Sequence, residues 1–219
     1  MKKFMAKRFV MTAVAAALLI SSLTACIPLV MGGAIIGGTL VASDRRTSGA
    51  QLEDEGIELR SNSRIRSNVG DRVHINVNSY NRQVLLTGEV PNAQDKLLVE
   101  QIVAKVENVT SVVNELTVMG NSTLTQRSSD VLVTGRVRAM LVDAKDLFAN
   151  SFKVVTERGT TYLMGRVTQR EADRGTAVAR GTPGVQKVVR IFEILSEEEL
   201  ARQLPAPAKP PVTRPATSN

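Results

Sequence analysis

At 219 residues the chain has room for one or two domains, and 28 lysines and arginines against 21 acids give it a formal charge of +7. Lys2, Lys3, Lys7 and Arg8 belong to an N-terminal segment whose removal leaves +3, and with 3% aromatics and no tryptophan neither a phosphate-tracking surface nor a base-stacking platform is implied, so no nucleic-acid partner is expected. One histidine and one cysteine cannot between them supply a His/Cys metal centre or a paired nucleophile, so the sequence carries no candidate catalytic residue, no metal site and no cofactor.

Residues 1–25 read as a secretory signal, a basic stretch followed by an apolar run that closes on small residues. Leu23-Thr24-Ala25-Cys26 ends that run, and the pattern resembles the lipobox of bacterial lipoproteins. Small side chains fit a peptidase groove beside the scissile bond, and only a thiol forms the thioether, so Cys26 is the expected lipidation site, carrying an acyl group such as palmitate. Ile27 follows it where an Asp would favour inner-membrane retention in such lipoproteins, which points to a lipid anchor on the periplasmic face of the outer membrane. Residues 26–49 form an expected flexible, Gly-rich leader; the 16 apolar residues 27–42 fall short of the ~20 a spanning helix needs. Asp44-Arg45-Arg46-Thr47-Ser48-Gly49 is read as returning the chain to water.

An internal repeat then sets the fold. Ile75, Val77, Leu86, Gly88 and Val90 are each matched 77 residues later by Phe152, Val154, Leu163, Gly165 and Val167. Each copy has alternating apolar residues, a polar turn (Tyr80-Asn81-Arg82; Glu157-Arg158-Gly159) and a second apolar strand, which predicts a β-hairpin. A helix follows in both, opened by Pro91-Asn92 with Leu98, Ile102, Val103 and Val106 as its apolar positions, or by the capping box Thr168-Gln169-Arg170-Glu171. A third strand is expected in residues 109–119 and 185–195. Ahead of the second hairpin, Val133, Val137, Met140 and Leu141 predict an inward helix face after an Asp130 N-cap. Ahead of the first, Leu52, Ile57 and Ile65 make a thinner stripe containing Gly56, predicting a shorter or frayed helix. Helix, strand, strand, helix, strand is an α+β fold, two small αββαβ sandwiches in tandem over residues 50–120 and 121–200. At about 70 residues each is small for independent folding, so the two should pack together.

The repeated strand ending in Leu-x-Gly-x-Val, the helix and the Val-x-x-Val before the last strand resemble the BON domain, and two such units behind a lipobox are similar to the dual BON-domain outer-membrane lipoproteins. The resemblance covers residues 50–195. It implies no catalysis, binding of an anionic phospholipid such as phosphatidylglycerol by the first helix of the second domain, and support of outer-membrane integrity. It also implies division-site components and the β-barrel assembly machinery as partners.

Charge agrees with that assignment: residues 53–120 hold 7 cations against 10 acids, whereas residues 127–192 hold 12 against 6. With Val133 and Val137 inward, a helical wheel turns Leu132, Arg136, Ala139 and Asp143 outward, with Arg138 at the flank and Gly135 between them. An exposed leucine beside an arginine suits an interfacial helix, the apolar chain below the headgroups and the guanidinium on phosphate. The family pattern has an aromatic where this chain has Leu132. His74 stands alone at a strand start, the carboxylates read as solvated, and Gly88 and Gly165 read as backbone punctuation where strand meets turn. Residues 201–219 are proline-rich and expected to be disordered. The alternative function is a structural adaptor binding envelope protein or peptidoglycan, with the lipid anchor only as an address.

Overall fold

A computed structural model describes residues 44–203, all of which belong to one unit. The signal at residues 1–25, Cys26, the leader up to residue 43 and the tail from residue 204 fall outside the described residues.

Helix α1 spans Ser48–Val69 and, at 22 residues, is not the short or frayed helix its thin stripe predicts. Leu52 is exposed, and the buried face is instead Asp54, Ile57, Ser61, Ile65 and Val69, a three- and four-residue spacing that two polar side chains complete. Thr47 Oγ1 caps the start by accepting from the Ala50 amide (3.1 Å), and Gly70 at φ 68° ends it. Strands β1 (His74–Tyr80) and β2 (Gln83–Val90) form the expected antiparallel hairpin. Its turn residues Asn81 and Arg82 sit at φ 49° and 68°, the two positive values of a type I′ turn. Helix α2 (Ala93–Ala104) is capped by Asn92, whose Oδ1 accepts from the Asp95 amide at 2.8 Å. Its inward residues are Val99 and Val103, while Leu98 turns outward, because the start at Ala93 sets the phase of the face. Strands β3 (Ser111–Asn114) and β4 (Thr117–Val118) both run parallel to β2. The expected single strand is broken where Leu116 turns into the core and its amide donates to Asn114 Oδ1 (3.2 Å).

The second unit repeats the plan: α3 (Leu124–Asp143), β5 (Phe152–Glu157), β6 (Thr160–Thr168), α4 (Gln169–Arg180) and β7 (Lys187–Leu195), followed by α5 (Glu197–Gln203). Sheet order is β5-β6-β7, antiparallel then parallel, and the Thr168/Glu171 capping box that opens α4 is present. Gly88 and Gly165 lie inside β2 and β6 rather than at a hand-over to a turn. A Cβ on Gly88, which has φ +114°, would stand 2.1 Å from His74 O, and one on Gly165 would stand 2.3 Å from Ser151 O. The repeat therefore conserves a close backbone approach between the hairpin strands.

Each sheet covers one face with its own helices, around Ile57, Leu86 and Val99 in the first unit and around Val137, Leu163 and Ala172 in the second. The opposite faces meet in a third cluster of Tyr80, Leu85, Tyr162, Met164 and Ile191. Lys153 Nζ reaches across to Glu58 Oε1 (2.6 Å) and Ser79 O (3.0 Å), and Asn81 Nδ2 reaches Glu193 Oε2 (2.6 Å). The expected packing of two undersized domains on one another is what buries these faces. The end of the leader takes part and is not solvated. Arg45 donates to both oxygens of Glu171 (2.7 Å each), and Arg46 pairs with Asp54 (2.7 Å) while lying 4.2 Å from the Tyr80 ring centroid. Arg45 and Arg46 thus each compensate a buried carboxylate, which would be left unpaired if the strap came away.

Candidate functional site

Helix α3 lies across the second sheet and carries every residue of the expected phospholipid site. It begins earlier than expected, at Leu124, because Thr123 and Gln126 form a capping box. Asp130 is therefore not its N-cap. That carboxylate is buried mid-helix and accepts from the backbone amides of Arg158 (2.8 Å) and Gly159 (2.9 Å), holding the β5–β6 turn. Val133, Val137 and Leu141 point inward as expected, but Met140 is 43% exposed.

Leu132, Gly135, Arg136, Ala139 and Asp143 are all exposed on the outer side of α3. Arg136 Nη1 reaches Pro183 O at 3.5 Å, and Gly135 has open space where a Cβ would stand. Arg138 lies on the other flank, its Nη2 donating to Val154 O (3.1 Å) on the edge of β5. Between these flanks runs an apolar stripe that the sequence reading missed: Leu124, Val131 and Val142, at 78%, 70% and 68% exposure, with Leu132 at 62%. Their spacing of seven and eleven residues places them on one helix side. The signal was present but hidden by the misplaced start at Asp130, which left Leu124 outside the helix. Next to the stripe a groove of about 530 Å³ opens between the domains, lined by Asn76, Asn78, Val131, Gly135 and Arg138 among others. Among the described residues no helix is long and apolar enough to cross a membrane.

A second constellation lies at the seam. Sequence reading found His74 without partners and the carboxylates solvated; the fold instead brings Glu89 and Glu157, both buried, to within 4.8 Å of His74 at their ligand atoms. Asp54, Asp95, Asp130 and Glu171 are buried as well. Burial alone would raise the Glu89 carboxyl, but hydrogen bonds from the Ser122 amide, His74 and the Ser122 hydroxyl outweigh it and hold it below the ordinary range. Burial pushes the Glu157 carboxyl up, helped by the nearby Glu89 charge and only partly offset by Asn76.

The family model of the BON domain matches residues 53–120 and 129–195. The chain is 36% identical over 176 residues to the outer membrane lipoprotein DolP of Haemophilus influenzae, covering 79% of this chain and 90% of that protein. It is 31% identical over 151 residues to a 21 kDa hemolysin of Actinobacillus pleuropneumoniae, covering 68% and 78%. Among solved structures it is similar to CdsD, a structural protein of the type III secretion system of Chlamydia trachomatis, at TM-score 0.26 and 17% identity over 69% of this chain and 96% of that one, a likeness that carries no inference.

Proposed function

The chain belongs to the BON-domain family, and we propose that it is a DolP-like lipoprotein of the outer membrane whose helix α3 binds anionic phospholipid. One observation carries the lipid reading: an unpartnered apolar stripe, Leu124, Val131, Leu132 and Val142, stands between Arg136 on one flank and Arg138 on the other. Such a face lowers apolar side chains beneath the headgroups while the guanidinium groups meet phosphate. Leu132 takes the place of the aromatic in the family pattern, and the two valines and Leu124 restore apolar area that the ring would supply. The finer roles in this proposal, envelope integrity, recruitment to division sites and proximity to the β-barrel assembly machinery, rest on the family resemblance.

The protein should float with phosphatidylglycerol vesicles and not with phosphatidylcholine vesicles. Leu132→Glu is expected to lower that partitioning about tenfold or more, from the loss of a buried leucine. Arg136→Glu should lower it at least ~5-fold, since each cation near an anionic surface is worth about 1 kcal/mol, and added salt should shrink that difference. Flotation unchanged in both variants would remove α3 from the site. The anchor is tested separately. A Cys26→Ala form should leave the outer-membrane fraction with its domains folded, because a weak contact loses the raised effective concentration that tethering gives it. Its retention would show that the domains, and not the cysteine, do the anchoring.

A further inference from the structure

The seam between the domains holds a group of side chains that the lipid reading does not use. His74 opens β1, Glu89 lies near the end of β2, and Glu157 ends β5, so the hairpin of one domain and a strand of the other contribute to it. Glu89 is fully buried and Glu157 nearly so, and one potential ligand atom from each of the three lies within 4.8 Å of the others. That separation is about twice a metal–ligand bond of roughly 2.0–2.4 Å, so one ion can touch all three after small side-chain rotations.

Charge argues in the same direction. Glu89, Glu157 and the neighbouring Asp130 are three buried carboxylates, and among the described residues the arginine paired with Glu89 is Arg158, whose Nη1 stands 3.4 Å from Glu89 Oε1. Buried carboxylates in excess of their cations are costly, and a divalent ion removes the excess. A second and independent observation is Thr87. It is fully buried, lies on the same strand two residues before Glu89, and pairs across the hairpin with Asn76, whose Nδ2 donates to Glu157 Oε2 at 2.7 Å. Yet Thr87 Oγ1 has no hydrogen-bond partner among the described residues. A buried hydroxyl with no protein partner, on the strand that carries Glu89, fits a hydrated ion that uses it as an outer contact.

We propose that His74, Glu89 and Glu157 form a binding site for a divalent transition-metal ion of the zinc class, shared by the two BON domains. The imidazole nitrogen selects this class over magnesium and calcium, which take oxygen. Without the ion, His74 Nδ1 donates to Glu89 Oε2 at 3.0 Å, an oxygen that also accepts from the Ser122 amide and hydroxyl (3.1 Å each). To ligate through Nδ1, the ring takes the tautomer that carries its N–H on Nε2, which frees the Nδ1 lone pair for the metal. Because the ligands come from both domains, the ion acts as a clamp between them. This site is independent of the lipid-binding reading of α3.

The test is zinc titration of the full-length protein in detergent after chelator treatment, followed by calorimetry and by the thermal midpoint. One equivalent of zinc should bind, and a hundredfold excess over its dissociation constant should raise the midpoint by about 5–10 °C. His74→Gln and Glu157→Gln should each weaken zinc at least ~10-fold, while their metal-free midpoints stay near that of the unaltered protein. Magnesium and calcium at the same concentration should give no shift. The proposal is overturned if zinc does not bind, if both variants bind it undiminished, or if calcium or magnesium reproduces the shift. Should Glu157→Gln fail to fold, His74→Gln decides alone, since its side chain is 18% exposed and its removal leaves no cavity in the apolar core.

Discussion

Replacing Asp54 with alanine is expected to lower the unfolding free energy by about 3–5 kcal/mol, the cost of removing one partner from a buried ion pair. Its two oxygens accept from the Ser79 hydroxyl (2.6 Å), the Asn81 and Arg82 amides (2.7 Å each) and Arg46 (2.7 Å). Alanine at this position leaves Arg46 without its buried partner and strips the β1–β2 turn of the acceptors that stabilise two non-glycine residues at positive φ. The second domain supplies an internal control. Asp130 holds the equivalent turn by accepting from two backbone amides rather than by pairing with a buried guanidinium, so Asp130→Ala should cost less, about 2 kcal/mol. Urea midpoints of the two variants check the order, and equal losses would mean that Arg46 contributes nothing.

Asp54 also sets an acid dependence. Burial on its own would raise its carboxyl, but Ser79, the Arg82 amide, Arg46 and the Asn81 amide outweigh burial and hold it below the ordinary aspartate range. A group depressed in the folded state contributes stability above its unfolded pKa of about 3.9, and that stability is lost as pH falls through the lowered folded value. Asp54→Asn should therefore be less stable than the parent at neutral pH and should lose less on acidification below about pH 4.

Arg45→Ala is the second large loss, again about 3–5 kcal/mol. The residue precedes the first domain in sequence yet packs on the second, gripping Glu171 with both terminal nitrogens and Arg166 O at 2.9 Å. Its side chain is 8% exposed and that of Glu171 1%, so the alanine variant strands a carboxylate inside the protein. Glu171 is held below the usual range despite burial, chiefly by Arg45 and then by the Thr168 amide. Without Arg45 the burial penalty is unopposed by a buried cation, its pKa rises, and the deficit of the variant should shrink as pH falls towards protonation of Glu171. Adding Glu171→Gln to Arg45→Ala should recover part of the loss, because the amide oxygen still caps α4. A single variant within 1 kcal/mol of the parent by denaturant titration would show that the strap detaches in solution.

Both predictions concern residues whose roles local pattern does not reveal. The wheel of α3 showed Leu132, Arg136, Ala139 and Asp143 outward, and the fold agrees. The stripe was missed because the helix start was assigned to Asp130, which left out Leu124; Asp130 is a good N-cap residue by type, but its side chain in fact serves a turn 28 and 29 residues away. The length of α1 was misjudged for a related reason. Propensity counts Gly56 against a helix, while packing of Ile57, Ile65 and Val69, with Asp54 tied to a strap and a turn, stabilises it by more than that penalty. Arg45-Arg46 looked like a return to water because charged residues usually are solvated, and nothing nearby in the chain announces Glu171.

Periodicity, glycine placement and capping residues by themselves determined the αββαβ order, the duplication and the two hairpins, since each depends on neighbours a few residues apart. Tertiary structure alone decided which charges are buried, how the leader ends, and that His74 has Glu89 and Glu157 for company. The physical reason is that a carboxylate is read as solvated until a partner from a distant part of the chain makes burial affordable, and that partner is chosen by how two sheets pack, not by local sequence.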